Sequence, residues 1–504
     1  MTLHCCLSIK VLLLILLVAD AAAIGLNRVA LSGKTAGIAT SSSPLKTKVH
    51  GSKTRGVNWP KEDMSQFKRG CVFWMRVGHI YFTYKLCQLK TFLLRRSKER
   101  ADAAFEKLHE KNSDRFVDLC LNLRGFYIKT GQFLGTRYDF MPRIYCTKLA
   151  MLSDSVPPMP KEVCRQIIEE EFEGDIADYF TELDLDKVLG AASIAQVHKG
   201  TWRATGEAVA VKLQYPNAEA KMRRDLSNIR ALAEILQRTD LKFDVLSAVK
   251  ELQSQIQFEF DFKREASNMD FAHAGLASLK DVVVPRSVRA TDRVLVMSFV
   301  EGENLSKLQE MRAGQGIPLS IRQARGSKLF KKLAVAYGTM FFRLNKMHAD
   351  PNPGNISLKG TNKVGLLDWG QCKDVTASLK RKISNLVLAF NARDKELICD
   401  SLFALGVKVT DPEDLDTVEA IAVTMLDTRE MEGFPCDPFD ERCASIANPI
   451  KLMPPEIYFV VRSVQMLRGL ISAFQITDFS LAEMWAPYAV EFADKSVVTR
   501  TIKT

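Results

Sequence analysis

The chain has 504 residues, 47% apolar and 26% charged, with 70 Lys and Arg against 59 Asp and Glu for a formal charge of +11. That balance excludes a disordered, collagen-like or polytopic membrane protein, and the length allows two or three domains with sizeable cores. The charge is uneven: residues 1–60 carry +6, residues 61–100 carry +7 and residues 101–504 sum to −2. A nucleic-acid-binding core therefore does not fit, because the basic excess lies outside the body of the chain.

The first residues read as a short polar start with Lys10, an eight-residue apolar run at 11–18 and the small residues Ala21–Ala23. This is a secretory-type signal pattern, too short for a membrane span, with an uncleaved anchor as the alternative. Residues 26–60 are rich in Ser, Thr, Lys and Arg and hold no acid, the composition of an organelle transit peptide. Together they form a two-part address of the kind used by plastids bounded by extra membranes, with the mitochondrion as the alternative. Residues 1–60 thus stand apart from the fold. The eleven cysteines include no CxxC pair, and Cys87, Cys120, Cys164 and Cys399 fall in apolar helical patterns. Buried free thiols are expected, a local bridge between Cys436 and Cys443 being the one alternative. The seven histidines are too dispersed for a metal cluster.

Residues 70–95 predict a helix with an apolar side (Phe73, Val77, Ile80, Tyr84) interrupted by Arg76, Lys85 and Lys90. Its basic and aromatic residues suit a membrane surface, and packing on the domain is the alternative. A second helix is predicted over 101–137. After Pro157, Pro158 and Pro160, KEVCRQIIEEEF restarts a helix. From 187 the pattern becomes strand, small-residue turn, strand, hairpin turn at Thr205-Gly206, and strand ending at Tyr215-Pro216. Charged helical sequence runs to about 275, strands follow at 281–289 and 293–299, and helices dominate from 320. The fold class is α+β, a small antiparallel sheet followed by a larger helical lobe. The boundaries expected are 61–110 for a basic helical segment, 111–186 for a helical extension, 187–300 for the sheet lobe and 301–504 for the helical lobe.

Four pieces that carry chemistry occur in a fixed order. Lys212 sits inside the apolar strand AVAVKLQYP. Ahead of it Ala191, Ala192, Ser193, Ile194, Ala195, Gln196 and Val197 form a turn of small side chains between strands, which lets backbone N–H groups approach phosphate oxygens. HADPNPGN holds Asp350 and Asn355 five residues apart, and LLDWG places Asp368 behind a short apolar strand. Each match alone is weak, because Asp and Asn crowd into ordinary turns. In order, they reproduce the kinase set of small-residue loop, strand lysine, catalytic Asp with Asn, and metal-binding Asp. Lys212 can reach the phosphates of ATP, and Glu265 on the helix after the insert is the candidate to orient it. Asp368 and Asn355 supply hard oxygen ligands for Mg²⁺. Asp350 would orient or deprotonate the acceptor. Met297 and Phe299 stand where a strand passes into a loop that could read adenine.

The alanine-rich loop, Lys129-Thr130-Gly131-Gln132, Glu259-Phe260-Asp261 and HADPNPGN together resemble the UbiB/ADCK family of atypical kinases, also called the AarF or coenzyme-Q-linked family. The similarity runs from about 115 to 375. It implies a two-lobed kinase-like fold in which Lys129, from a helical extension over the peptide groove, reaches the active site near Glu259 and Asp261. It also implies that the alanine-rich loop alters nucleotide preference. Members are tied to isoprenoid quinone metabolism and lipid homeostasis in mitochondria, plastids and bacteria. Lipid or quinone-related molecules, a membrane surface and an organellar biosynthetic complex are the implied partners.

Two departures stand out: Asn352 replaces the family's usual His in the catalytic turn, and DWG replaces DFG. Asp350, Asn355 and Asp368 remain. The resemblance leaves open an ATP-dependent kinase or ATPase, a nucleotide-gated scaffold without phosphoryl transfer, and a protein serine/threonine kinase.

Overall fold

The computed structural model describes residues 64–125, 127–128, 131, 142–150, 152, 158–191, 194–239, 258–305, 319–359, 363–429, 448 and 450–502. The expected leader over 1–60 and the cysteines Cys436 and Cys443 lie outside them. The seven cysteines among the described residues are all free, and Cys120, Cys164 and Cys399 are buried.

Helix α1 (Gln66–Leu93) starts where the Ser65 side chain accepts the Lys68 amide, and it buries Phe73, Val77, Ile80 and Tyr84, one face at three- and four-residue spacing. Helix α2 (Lys98–Leu123) packs on α1 and on α3 (Arg143–Ala150). The single helix expected over 101–137 is wrong: α2 stops at Leu123, and Arg124 and Gly125 adopt φ of 54° and 55°. That left-handed step cannot continue a helix. Gly131 lies against Cys120, Leu149 and Leu152, and a side chain there would have to displace the Leu152 methyl group.

Helix α4 (Lys161–Phe172) and the short α5 (Ile176–Tyr179) lead into β1 (Phe180–Ala191), β2 (Ala195–Trp202) and β3 (Ala208–Gln214). Helices α6 (Ala218–Thr239) and α7 (Phe262–Gly275) follow, then β4 (Val282–Val283), β5 (Ser287–Ala290), β6 (Val294–Ser298) and β7 (Glu303–Asn304). The main sheet is antiparallel throughout, in the order β1-β2-β3-β6-β5. Its first strand starts at Phe180, seven residues before the expected change of texture. Glu182, Asp184 and Asp186 obscure it, and such charges are normal on an edge strand. The strand expected over 281–289 is two strands: β5 joins the main sheet, while β4 pairs in parallel with a strand of the helical lobe. Pro285 stands between them and cannot donate to a ladder.

The main sheet has two different faces. Val209, Val211, Leu213, Val294 and Val296 pack under α4 with Val163, Cys164, Ile167 and Ile168. Ala210, Leu295 and Met297, one residue out of step, belong to the larger core that continues into the helical lobe.

That lobe contains α8 (Leu319–Gly338), a π-helical turn at Thr339–Arg343, β8 (Lys346–His348), β9 (Ile356–Lys359), β10 (Lys363–Leu366), β11 (Cys372–Asp374) and α9 (Ala377–Ala392). Next come α10 (Lys395–Ala404), β12 (Lys408–Val409), α11 (Leu415–Leu426), β13 (Ile450–Leu452), α12 (Tyr458–Ala473), α13 (Leu481–Ala489) and α14 (Lys495–Ile502). Strands β9 and β10 form the hairpin between the HADPNPGN turn and DWG, with β4 and β7 on its flanks.

The N-terminal helices are tied to the rest by a buried ion pair, Arg69 Nη2 to Asp225 Oδ2 at 2.6 Å, between α1 and α6. Burial pushes the Asp225 carboxyl up to about 6 against the pull of Arg69. Asp225 therefore holds a proton more readily folded than unfolded. Its contribution to stability is complete below its unfolded pKa of about 3.9 and is lost as pH rises through about 6. Arg69→Met leaves that carboxylate without its cation and should cost about 3 kcal/mol at pH 8, with a smaller loss near pH 5, where Asp225 protonates. Urea denaturation at both pH values checks this; an equal loss at both would overturn the assignment.

Candidate functional site

Lys212 points to the cleft side of the sheet because the strand's alternation demands it. Its cross-strand partners are Val197 on β2 and Leu295 on β6, and Ala210 pairs with Met297. Directly opposed residues share a face, so Val197, Ala210, Lys212, Leu295 and Met297 form one patch. Of these, the sequence reading missed Ala210 and Leu295. Counting two residues back from Lys212 would have found the first.

The ammonium of Lys212 donates to both oxygens of Glu265, at 2.7 and 2.9 Å, and to Asp368 Oδ2 at 3.3 Å. It also lies over the ring of Phe262. Burial alone would depress the lysine, yet Asp368 and Glu265 hold it above its ordinary value. Burial pushes Glu265 up to about 7, with Lys212 working against the rise and Asp368 adding to it. Two carboxylates thus share one cation.

Helix α7 grips the DWG segment at three points. Glu265 reaches Lys212 beside Asp368, Asn268 Nδ2 donates to the Trp369 carbonyl, and Arg264 donates to the Cys372 carbonyl. The helix begins at Asp261, whose side chain accepts the Arg264 amide at 2.8 Å. This candidate residue is thus an N-cap, exposed to solvent.

His348 is buried between Tyr337 and the DWG turn. Its Nε2 lies 2.6 Å from the Asp368 carbonyl, which can only accept, so Nδ1 accepts from the Tyr337 hydroxyl at 2.7 Å. Burial holds the imidazole below its usual pKa, in keeping with this neutral tautomer. Trp369 packs edge-on to His348 at 5.0 Å and donates to the Leu366 carbonyl. It is one of the largest fully buried side chains. The indole fills the apolar slot that DWG leaves for it.

Asn355 Nδ2 donates to Asp350 Oδ2 at 3.2 Å and to the Asp350 carbonyl at 3.3 Å. With its amide nitrogen engaged there, Asn355 has its oxygen to offer a cation. The other oxygen of Asp350 faces Arg462 of α12 at 3.5 Å. Arg462 donates to Gln371 Oε1 at 2.7 Å, and Gln371 donates to Glu259. A polar chain therefore runs from Glu259 to Asp350 through two residues absent from the sequence reading. No spacing could have found Arg462, which lies 112 positions beyond its carboxylate partner.

Of the small-residue loop, Ala191 ends β1, while Ala192 and Ser193 lie outside the described residues. Ile194 and Ala195 are buried, and the Ile194 carbonyl accepts the Tyr215 amide. Met297 lies on the cleft face of β6, and the Phe299 amide donates back to the Ala208 carbonyl. Lys129 is outside the described residues.

Whether these residues fit Mg²⁺ can be judged from their chemistry. One carboxylate and one amide oxygen suit a hard cation that takes its remaining ligands from phosphate and water. Asp368, one-third exposed, carries charge that Lys212 shares with Glu265. Among the described residues no group of three His, Cys, Asp or Glu could hold a metal without such help. The set fits.

The arrangement is kinase-like: a strand lysine paired to a helix glutamate, an Asp on a turn, and an Asp–Asn pair below. The model of the ABC1 atypical kinase-like domain matches residues 151–402, and the chain belongs to that family, the UbiB/ADCK or AarF proteins. AarF domain-containing protein kinase 1 of Xenopus tropicalis is 30% identical over 307 residues, 60% of this chain and 57% of that protein. Protein ACTIVITY OF BC1 COMPLEX KINASE 8, chloroplastic, of Arabidopsis thaliana is 30% identical over 319 residues, 62% of this chain and 40% of that protein. The chain thus spans about half the length of these curated relatives. A solved complex of Rv3197 with erythromycin from Mycobacterium tuberculosis has a TM-score of 0.49 and 21% identity, covering 75% of this chain and 95% of that one.

Trp369→Ala should destabilise the protein by about 3–5 kcal/mol, whereas Trp369→Phe, which keeps most of the ring volume and loses one hydrogen bond, should cost about 1–2 kcal/mol. Guanidinium denaturation measures both. An alanine variant no weaker than the phenylalanine one would refute the packing role.

Proposed function

We propose that this chain binds Mg-ATP and turns it over as an atypical kinase or ATPase, in support of isoprenoid quinone and lipid metabolism at an organelle membrane. The observation that carries the reading is the contact of Lys212 with both Glu265 and Asp368, with the Asp350–Asn355 pair on the turn behind it. Membership of the kinase-like family adds to it.

In this reading Lys212, held by Glu265, neutralises the α/β-phosphates, and the loop from Ala191 to Ala195 lines them with backbone amides. Val197, Ala210 and Met297 flank the base, and the backbone near Phe299 reads its edge. Asp368 and Asn355 would hold Mg²⁺, which when bound neutralises charge on the phosphate oxygens. Asp350 orients the attacking hydroxyl or water and takes its proton as the new P–O bond forms and ADP leaves. Arg462, facing the other carboxylate oxygen, keeps Asp350 aimed. Glu259 is linked to Arg462 through Gln371, and the family resemblance implies that Lys129 reaches the site near it. A second reading, a nucleotide-gated scaffold, is favoured by the engagement of Asp350 with both Arg462 and Asn355, which describes a resting site as well as a working one.

Calorimetric titration with Mg-ATP should show binding, and Asp368→Asn should weaken it about tenfold or more. Unchanged affinity in that variant would remove the metal role from Asp368. Turnover measured with a panel of lipids and isoprenoid phenols should be abolished by Asp350→Asn with binding kept. Binding without turnover under every condition would leave the scaffold in possession.

The leader composition and the chloroplastic name of the Arabidopsis relative favour a plastid address. Residues 1–63 fused to a fluorescent protein should carry it into plastids of a cell with plastids bounded by extra membranes. Mitochondrial fluorescence would overturn this.

A further inference from the structure

We infer that the outward face of α1 is a docking surface for an anionic lipid bilayer. The helix has two apolar faces. The inner one, Phe73, Val77, Ile80 and Tyr84, is buried against the protein. On the opposite side Phe67, Met75, Phe82, Leu86, Leu89 and Leu93 are 51–84% exposed. Their spacing of seven, four and three residues from Met75 onward aligns them along one side of a 28-residue helix, a stripe about 40 Å long. Scattered exposed apolar residues are ordinary, but six aligned on one helix form a patch that marks an interaction surface.

The charge around the stripe identifies the occupant. Residues 66–98 hold eight Lys and Arg and no acid. Arg69 is engaged with Asp225, while Lys68, Lys90, Arg95 and Arg96 are exposed and Lys85 is half-buried. Lys85 also lies over the Tyr81 ring, at the flank of the stripe. An apolar stripe rimmed by cations is the pattern of a helix that lies in the plane of an anionic membrane surface, side chains in the acyl boundary and bases at the headgroups. Among the described residues no helix is long and apolar enough to cross a membrane, so a lying helix is the geometry available to α1. A second copy of the chain is a poor match, because stripe-to-stripe pairing would bring one basic rim against another. Residues 1–60, with a charge of +6, are a poor match for the same reason. The surface is separate from the nucleotide residues and does not depend on their role.

The test uses the full chain with a photo-crosslinking phenylalanine analogue at position 82. It is mixed with vesicles of phosphatidylcholine alone or with about one third phosphatidylglycerol, and crosslinked species are identified by mass spectrometry. Lipid adducts at position 82, several-fold more abundant with the anionic vesicles, are expected. A Lys85→Glu/Lys90→Glu variant carrying the same analogue should lower the yield about tenfold or more while keeping the wild-type melting temperature. Crosslinks only to a second chain or to residues 1–63, an absence of lipid adducts, or yields indifferent to lipid charge and to the variant would each overturn the proposal. Because the readout is local to α1, an apolar leader inserting elsewhere cannot imitate it. Mg-ATP binding measured on the same samples reports separately on the nucleotide site.

Discussion

The site is organised by one electrostatic constraint: a buried lysine shared between a buried carboxylate and a partly exposed one. Lys212 and Glu265 are both nearly inaccessible to water, and a charge removed from solvent is tolerated only when its partner is close and well oriented. Each member of the trio comes from a different part of the chain, β3, α7 and the DWG turn. The contact therefore fixes the sheet, the helix and the turn relative to one another. Misplacing Lys212 or Glu265 leaves an uncompensated buried charge, so strand and helix must be correct together, and Asp368 brings the turn against the pair.

Around this trio the structure holds its functional groups by their backbones as much as by their side chains. His348 supports Asp368 through its carbonyl, Asn268 supports Trp369 in the same way, and Asn304 reaches the Gly354 carbonyl in the HADPNPGN turn. Backbone acceptors have fixed positions once the turn is made, which suits groups that must meet a ligand within a few tenths of an ångström. The neutral imidazole of His348 is part of this scaffolding: Tyr337 and the Asp368 carbonyl occupy both ring nitrogens, leaving it no proton-transfer role.

Much of the fold could be read from the sequence, because local physics decides it. Helix α4 has the limits that KEVCRQIIEEEF predicts, and β3 is legible from its apolar run around one lysine. The family motifs pointed to Glu259 and Asp261, and the four kinase-like pieces pointed to Lys212, Asp350, Asn355 and Asp368. What escaped depends on tertiary context. Acids on an edge strand concealed the start of β1 at Phe180, and a left-handed step at Arg124 cut short an apparently continuous helix. Two residues, Val282 and Val283, left the main sheet to pair with β10. Gln371 and Arg462 carry no signature at all, because an ordinary polar residue acquires its role only when the fold brings it to Asp350.

Arg462 has a consequence for where the working unit ends. The recognisable motifs stop at Gly370, and the family's domain model stops at residue 402. Yet the guanidinium facing Asp350 comes from α12, some sixty residues further on. Ser463 on the same helix donates to the His348 carbonyl at 3.1 Å. The site's boundary in space thus lies well past its boundary in sequence. A fragment trimmed to the family signatures would keep every diagnostic residue and lose the wall that holds the Asp350 carboxylate in place. Any minimal version of this protein has to include α12, and variation in that helix is a route to changing the site without touching a motif.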